Sequence, residues 1–327
     1  MSDAGCSQPL GGLHITLQSA PDSALHSYRI GGLAVSSQLE LAGAIDAPAD
    51  GAAADVTVRF EPVPEALPGG SPGGPTWDID GDTVLLRVPS LARYLIRGGR
   101  HIGVEPEPGA TARDVGAFVL GTSFGILLHQ RGALVLHGSA VEKDGAALVV
   151  CGRSGEGKST LAAALCQAGF GLVADDICTI DFDAERRAVV APDGRQLKLW
   201  RDSIDKLELA GEQGEAVREG FEKYFVAPAV SAAAAPRLKA IYVLREHRPP
   251  VEAGIEPLAL PDAMRMLDIE AYRPGLRERL GSKPAMLLQG SAMLAHAQVF
   301  LCVRPRGFEH MEATVADLVT HWESLGR

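Results

Sequence analysis

Residues 151–160 read CGRSGEGKST, between the apolar run AALVV and the alanine-rich KSTLAAALCQAG. Few ten-residue stretches constrain a chain more, because the flanks read as a strand and a helix and the joint holds three glycines. Gly152, Arg153, Ser154, Gly155, Glu156, Gly157, Lys158 and Ser159 fit G-x-x-x-x-G-K-[ST], with Thr160 following. Phosphates can approach a backbone closely only where side chains are absent, and glycine also allows the dihedrals that turn successive N–H groups toward one point. The helix behind the loop adds its N-terminal donors and dipole. This pattern assigns Lys158 to the outer phosphates of a nucleotide and the Ser159 hydroxyl to Mg²⁺. A ligand-free glycine turn would explain neither the lysine nor the hydroxyl after it.

Two other features extend the reading. GLVADDICTIDFD reads as a strand carrying adjacent aspartates, Asp175 and Asp176, and a neighbour of the loop strand is where a carboxylate commonly holds a metal shell. Two carboxylates side by side repel each other unless a cation lies between them. One can bind the metal while the other accepts a proton from an attacking hydroxyl; a helix-cap or turn role is the bland alternative. His137, after ALVL and before Gly138, has only its position to recommend it, since an isolated histidine is more often a satisfied core or turn residue.

The rest of the chain reads as two parts. Runs such as SYRIGGLAVSS, ADVTVRF, DIDGDTVLLRV and ARYLIRGGRHIGV, with LHITLQ before them, alternate β-prone segments with turns, Gly81-Asp82 and Gly98-Gly99 marking hairpins. EALPGGSPGGPTW, residues 65–77, reads as a loop. Thr111 and Asp114 have helix-capping spacing and open an apolar run to about Gln130, expected to be one buried helix. The seam is placed at residue 109, giving a β-rich α+β domain over 1–109 and an α/β P-loop domain over 110–327. ALVLHGSAV and AALVVCG read as strands joined by a Lys143-Asp144-Gly145 turn, KSTLAAALCQAG as a helix ending at Gly169, AAAAPRLKAIYVLRE as a further strand, and 261–272 and the C-terminal FEHMEATVADLVTHWESLG as helices.

Composition excludes several classes. The net charge is −10, and residues 1–130 hold 7 basic against 14 acidic side chains while 131–327 hold 24 against 27. No basic run offers the concentrated charge that sequence-independent nucleic-acid binding needs. The five cysteines, at 6, 151, 166, 178 and 302, form no Cys-x-x-Cys pair and suit a reducing compartment. The N-terminus lacks the basic and apolar regions of a signal peptide, and VGAFVLGTSFGILL, at about 14 residues, falls short of the ~20 that span a bilayer. No membrane partner and a cytoplasmic location are expected.

Together LHGSAV, GRSGEGKS and LVADD resemble the C-terminal kinase domain of the HPr kinase/phosphorylase family, and its shorter HPr-kinase-like relatives associated with modified-peptide gene clusters of the lasso type. The resemblance runs from about residue 134 to 183; GRQLKLWRDSIDKL and the tail from PLALPDAM are similar more diffusely. It implies a P-loop core like that of phosphoenolpyruvate carboxykinase, with ATP and Mg²⁺ as cofactors and a serine or threonine hydroxyl on a peptide or small protein as acceptor. It also implies His137 as a phosphate-proximal histidine, residues 152–159 as the nucleotide loop, and Asp175 with Asp176 as the acid pair serving metal and hydroxyl, either of which can be the base. Relatives assemble, which leaves a homo-oligomer open.

The bifunctional enzymes carry a Glu-Ile-Arg-Gly-Leu-Gly type segment after the aspartates where this chain has LKLWRDS, which argues against phosphorolysis and against HPr as substrate. The first part looks like that of the peptide-cluster relatives. Arg153, Lys198, Arg201, Arg245 and Arg273 are candidates for further phosphate or substrate contacts. The expected function is therefore a serine kinase. A P-loop regulator that binds nucleotide without transferring phosphate is the alternative from another class, and a bifunctional HPr kinase/phosphorylase the third.

Overall fold

The computed structural model of the chain describes residues 25–48, 53–74, 76–218, 220–227, 230, 232, 234–281 and 283–326. The strand expected at LHITLQ and Cys6 lie outside the described residues. The first sheet has eight strands. Beginning at one edge they are His26–Ile30, Leu33–Ser37, Val56–Phe60, His101–Pro106, Ala92–Arg97, Thr83–Val88, Trp77–Asp80 and Ser71–Gly74. The hairpin at Gly81-Asp82 is closed by Asp80 pairing with Thr83, and Gly98 and Gly99 take φ of 61° and 62° between Arg97 and His101. Within the expected loop 65–77, Ser71–Gly74 forms a short strand instead. It is the outermost strand, paired on one side only, so the N–H that Pro72 lacks interrupts no second ladder.

Thr111 caps the helix as its spacing requires, its Oγ1 accepting from the Asp114 amide at 3.1 Å. The run is helical over 112–130 but not uniformly so, since Ala112–Phe118 and Phe124–Gln130 are joined by a π-turn at Val119–Ser123. Its apolar residues, Val115, Leu120, Phe124 and Leu127 among them, pack into one core with Ile30, Tyr94 and Ile102 of the first sheet. The segment explains its own hydrophobicity: it covers a sheet face that would otherwise meet water.

The second sheet is α/β in construction. Three parallel strands, Ala146–Cys151, Arg237–Glu246 and Gln298–Arg304, form its centre, with Gly138–Lys143 and then Gly171–Asp175 beyond the first of them and Gly254–Pro257 beyond the last. Cys178–Phe182, Ala188–Val190 and Leu134–Leu136 continue the sheet from the start of Arg237–Glu246. Helices Lys158–Gln167 and Met311–Ser324 cover one face, and Leu260–Ile269 with Lys283–Leu294 the other. Of the expected Lys143-Asp144-Gly145 turn, Asp144 and Gly145, both with positive φ, make a two-residue hairpin turn, while Lys143 stays in the strand and pairs with Ala146. A small third sheet holds Leu197–Trp200, Lys223–Val226 and Gln213–Ala216.

Residues 192–195 join the two sheets. The Gly32 amide donates to Pro192 O at 2.9 Å and the Gly194 amide to Arg29 O at 2.9 Å. Asp193 and Arg195 form a buried pair at 2.5 Å. Asp193 also accepts from the Gly31 amide at 3.2 Å, while Arg195 donates to Leu120 O in the π-turn at 2.7 Å. A buried ion pair with partners on both sides fixes relative position more than it adds stability.

Candidate active site

Parallel strands align their carboxyl ends, so Cys151, Glu246 and Arg304 finish on one side of the second sheet, where open α/β sheets form clefts. From Cys151 the chain enters the glycine loop, and Gly157 stands at φ 79° immediately before helix Lys158–Gln167. A Cβ there would lie 3.3 Å from Arg304 Nη2 on top of the strained dihedral. Lys158 folds back over the loop, its Nζ donating to Gly152 O at 2.8 Å and Arg153 O at 3.2 Å. The side chain is buried, which pushes its amine below the ordinary lysine range.

The aspartates reach the loop by a different route from the one expected. Strand Gly171–Asp175 is not the neighbour of the loop strand, because Gly138–Lys143 forms a hairpin with the loop strand and occupies the place between them. Contact is made through hydroxyls instead. Asp175 Oδ1 accepts from Ser159 Oγ at 2.8 Å and from Ser139 Oγ at 2.7 Å, and Oδ2 accepts from the Lys198 amide at 3.1 Å.

Asp176 sits beyond the strand end at φ 74°, in the left-handed region that costs most L-residues energy and that aspartate tolerates better than most. Its carbonyl accepts from His137 Nδ1 at 3.0 Å, and its carboxylate lies 3.4 Å from both His137 Nδ1 and Lys198 Nζ. Since a carbonyl can only accept, Nδ1 carries the proton and Nε2 is left for the cleft. Burial works to raise the Asp176 carboxyl and is outweighed by Lys198, His137 and Arg195, which hold it well below the usual carboxylate range. His137 itself marks the break between Leu134–Leu136 and Gly138–Lys143, as Asp176 marks the break before Cys178–Phe182. The two breaks adjoin because Leu136 pairs with Cys178 and Ser139 with Asp175.

A cleft of about 630 Å³ runs from His137, Asp175, Asp176 and Lys158 past Ser159 and Thr160 to Trp200 and Phe308. Ser154, Gly155, Glu156 and Gly157 line it as well, whereas Gly152 and Arg153 line a second cleft of about 520 Å³ on the other side of the loop. His137, Ser154, Asp176 and Lys198 border both. Of the other flagged cations, Arg273 lines the second cleft. Arg201 turns away to Gln213 and the Tyr224 ring, and Arg245 is held by Glu270 at 2.7 Å.

Arg304 and Arg306 escaped the sequence reading. Arg304 Nη2 donates to Glu156 O at 2.5 Å and Arg306 Nη2 to Gly155 O at 3.4 Å, so both close on the loop from the end of strand Gln298–Arg304. Arg304 is 8% exposed, and its Nε has no partner among the described groups. No local pattern in VRPR marks these residues; the parallel register of Gln298–Arg304 with Arg237–Glu246 brings them there.

Among the described residues, no group of three or more His, Cys, Asp or Glu side chains is arranged to hold a metal by itself. The donors present, a hydroxyl and carboxylates, fit Mg²⁺, which usually takes one or two carboxylates and completes its shell with water and phosphate oxygens. No helix among the described residues is long and apolar enough to cross a membrane.

No family model matches the chain, and no curated protein matches it. Among solved structures it is similar to one described as the structure of the Hpr(Ser) kinase/phosphatase from Coxiella burnetii, at 12% identity over 58% of this chain and 92% of that chain. The TM-score is 0.33, a level at which the likeness carries no inference about function.

Proposed function

We propose that the protein transfers the γ-phosphoryl group of ATP, with Mg²⁺, to a serine or threonine hydroxyl on a peptide or small protein. The observation that carries this reading is the position of Asp176, which borders the loop cleft on one side and a second cleft on the other. A nucleotide-binding regulator needs the first cleft only; a transferase needs two that meet at an acidic group. The resemblance of LHGSAV, GRSGEGKS and LVADD to HPr-kinase-like proteins supports the same reading.

The residues divide the work. Ser159 and Asp175, already in contact, would hold the magnesium ion, which when bound offsets charge on the phosphate oxygens. Lys158 leaves its loop carbonyls for the outer phosphates, with which a partly desolvated amine interacts more strongly than a hydrated one. Asp176 accepts the hydrogen bond of the acceptor hydroxyl and aims its oxygen at the γ-phosphorus. The new O–P bond forms as the bond to the leaving diphosphate breaks, and the hydroxyl proton passes to the carboxylate. A carboxylate held this far below its ordinary range is a weak base, which suits a loose transition state in which the proton leaves late. His137 and Lys198 hold Asp176 in place, and the Lys198 amine adds positive charge where the γ-phosphate would lie.

The test is transfer of label from γ-labelled ATP to serine-containing peptides in the presence of Mg²⁺. Label on peptide serine or threonine is expected. Nucleotide binding without transfer to any peptide would leave the regulator reading instead.

A further inference from the structure

We infer that the second cleft is the acceptor site and that it takes a peptide segment carrying carboxylates beside its hydroxyl; this rests on the transferase reading above. The cleft lies between the helical run, through Phe118, Gly121 and Thr122, and the segment Ile269 to Arg273 of the second sheet's cover. It therefore borders structure that the loop cleft does not touch.

Its charge is the reason for naming an acidic occupant. Arg153, Arg218 and Arg273 line it, in a chain whose net charge is −10. The carboxylates on its walls are already engaged: Glu270 with Arg245 at 2.7 Å, and Asp176 with Lys198 and His137. Arg218 faces Asp114 at 3.7 Å and lies over the rings of Phe118 and Phe221, which hold the guanidinium in place. Arg153 and Arg273 form no ion pair among the described residues, and Arg273 is steadied by a 2.8 Å bond to Thr122 Oγ1. A cleft wall with two guanidinium groups free of ion pairs, in an acidic protein, is where an acidic ligand gains most and a basic one is disfavoured.

Two positive-φ residues lie in the same cleft. Six non-glycine residues among those described have positive φ, and two of them, Asp176 and Arg273, line this cleft. Arg273 holds φ 47° immediately before Pro274, a conformation that persists only where its surroundings impose it. The result is one carboxylate to receive a hydroxyl and guanidinium groups placed to receive its neighbours.

The experiment uses the full chain with Mg²⁺ and a non-hydrolysable ATP analogue. Three fluorescent peptides are compared by anisotropy, each with one serine flanked by aspartate, alanine or lysine, and label transfer from ATP is measured separately on the same peptides. The aspartate peptide is expected to bind at least about tenfold more tightly than the alanine peptide and to weaken with added salt. Arg273→Glu removes that preference, Arg273→Gln reduces it, and unchanged melting of both variants excludes misfolding. Equal binding of the three peptides, or a preference untouched by Arg273→Glu and Arg218→Gln together, overturns the assignment even where transfer occurs. Selective binding with no transfer supports the cleft and overturns the transferase reading.

Discussion

The two large sheets differ in where they are regular. In the first, Thr83–Val88, Ala92–Arg97 and His101–Pro106 pair residue for residue without a break, and their inward side chains are buried apolar groups. In the second, the strands that approach the cleft end or break at polar or glycine residues: His137, Gly152, Asp176 and Arg304. One region is built by burial of apolar surface. The other concentrates a buried lysine, a positive-φ aspartate and a buried arginine with an unpartnered donor within a single cleft. Such groups cost stability where they stand, and the apolar cores elsewhere offset them. Stability and chemistry should therefore be separable by mutation.

The sharpest separation is expected at Lys158. Lys158→Ala should lower phosphoryl transfer by about 10³-fold or more, because it removes the amine that folds directly over the loop, while melting falls by no more than about 2 °C, since a partly desolvated charge is removed with it. A large loss of melting temperature with transfer retained would reverse the comparison. The opposite pattern is expected in the first sheet. Tyr94 is fully buried and its hydroxyl donates to Val115 O at 3.1 Å. Tyr94→Ala should cost about 3–5 kcal/mol in denaturant unfolding, with transfer per folded molecule within about twofold of the parent.

Asp176→Asn comes next. Asparagine tolerates positive φ and keeps the shape, so melting should move by only a few degrees while transfer falls about 10²-fold or more through loss of the charge that orients the hydroxyl. A melting change as large as that of Tyr94→Ala would make Asp176 structural. The smallest effect belongs to the junction between the two regions. Thr111→Ala removes the cap of the helical run and should cost about 1 kcal/mol in unfolding, with no change in transfer.

Much of this was legible along the chain. The loop announced itself because all its parts, strand, glycines, lysine, hydroxyl and helix, lie within about twenty residues and obey local rules. The hairpins at Gly81-Asp82 and Asp144-Gly145 and the cap at Thr111 were readable for the same reason. The π-turn at Val119–Ser123 was not, because an apolar run looks alike whether its helix is regular or widened by one residue. The short strand Ser71–Gly74 was hidden by prolines and glycines that forbid a central strand and permit an edge. The position of Asp175 was misjudged by one strand, since adjacency in a sheet is a long-range choice that the order of segments does not settle.

By itself, then, the sequence determined the local pieces: a glycine-rich loop between a strand and a helix, an acidic pair at a strand end, a capped apolar helix and a set of hairpins. Tertiary structure decided which pieces meet. It put Gly138–Lys143 between the loop strand and the aspartates, brought Arg304 and Arg306 over the loop from more than 140 residues away, and opened a second cleft behind Asp176. The physical reason is that turns, caps and helices are set by dihedral preferences and hydrogen bonds within a few residues, whereas parallel strands draw their neighbours from anywhere in the chain by burying apolar faces together.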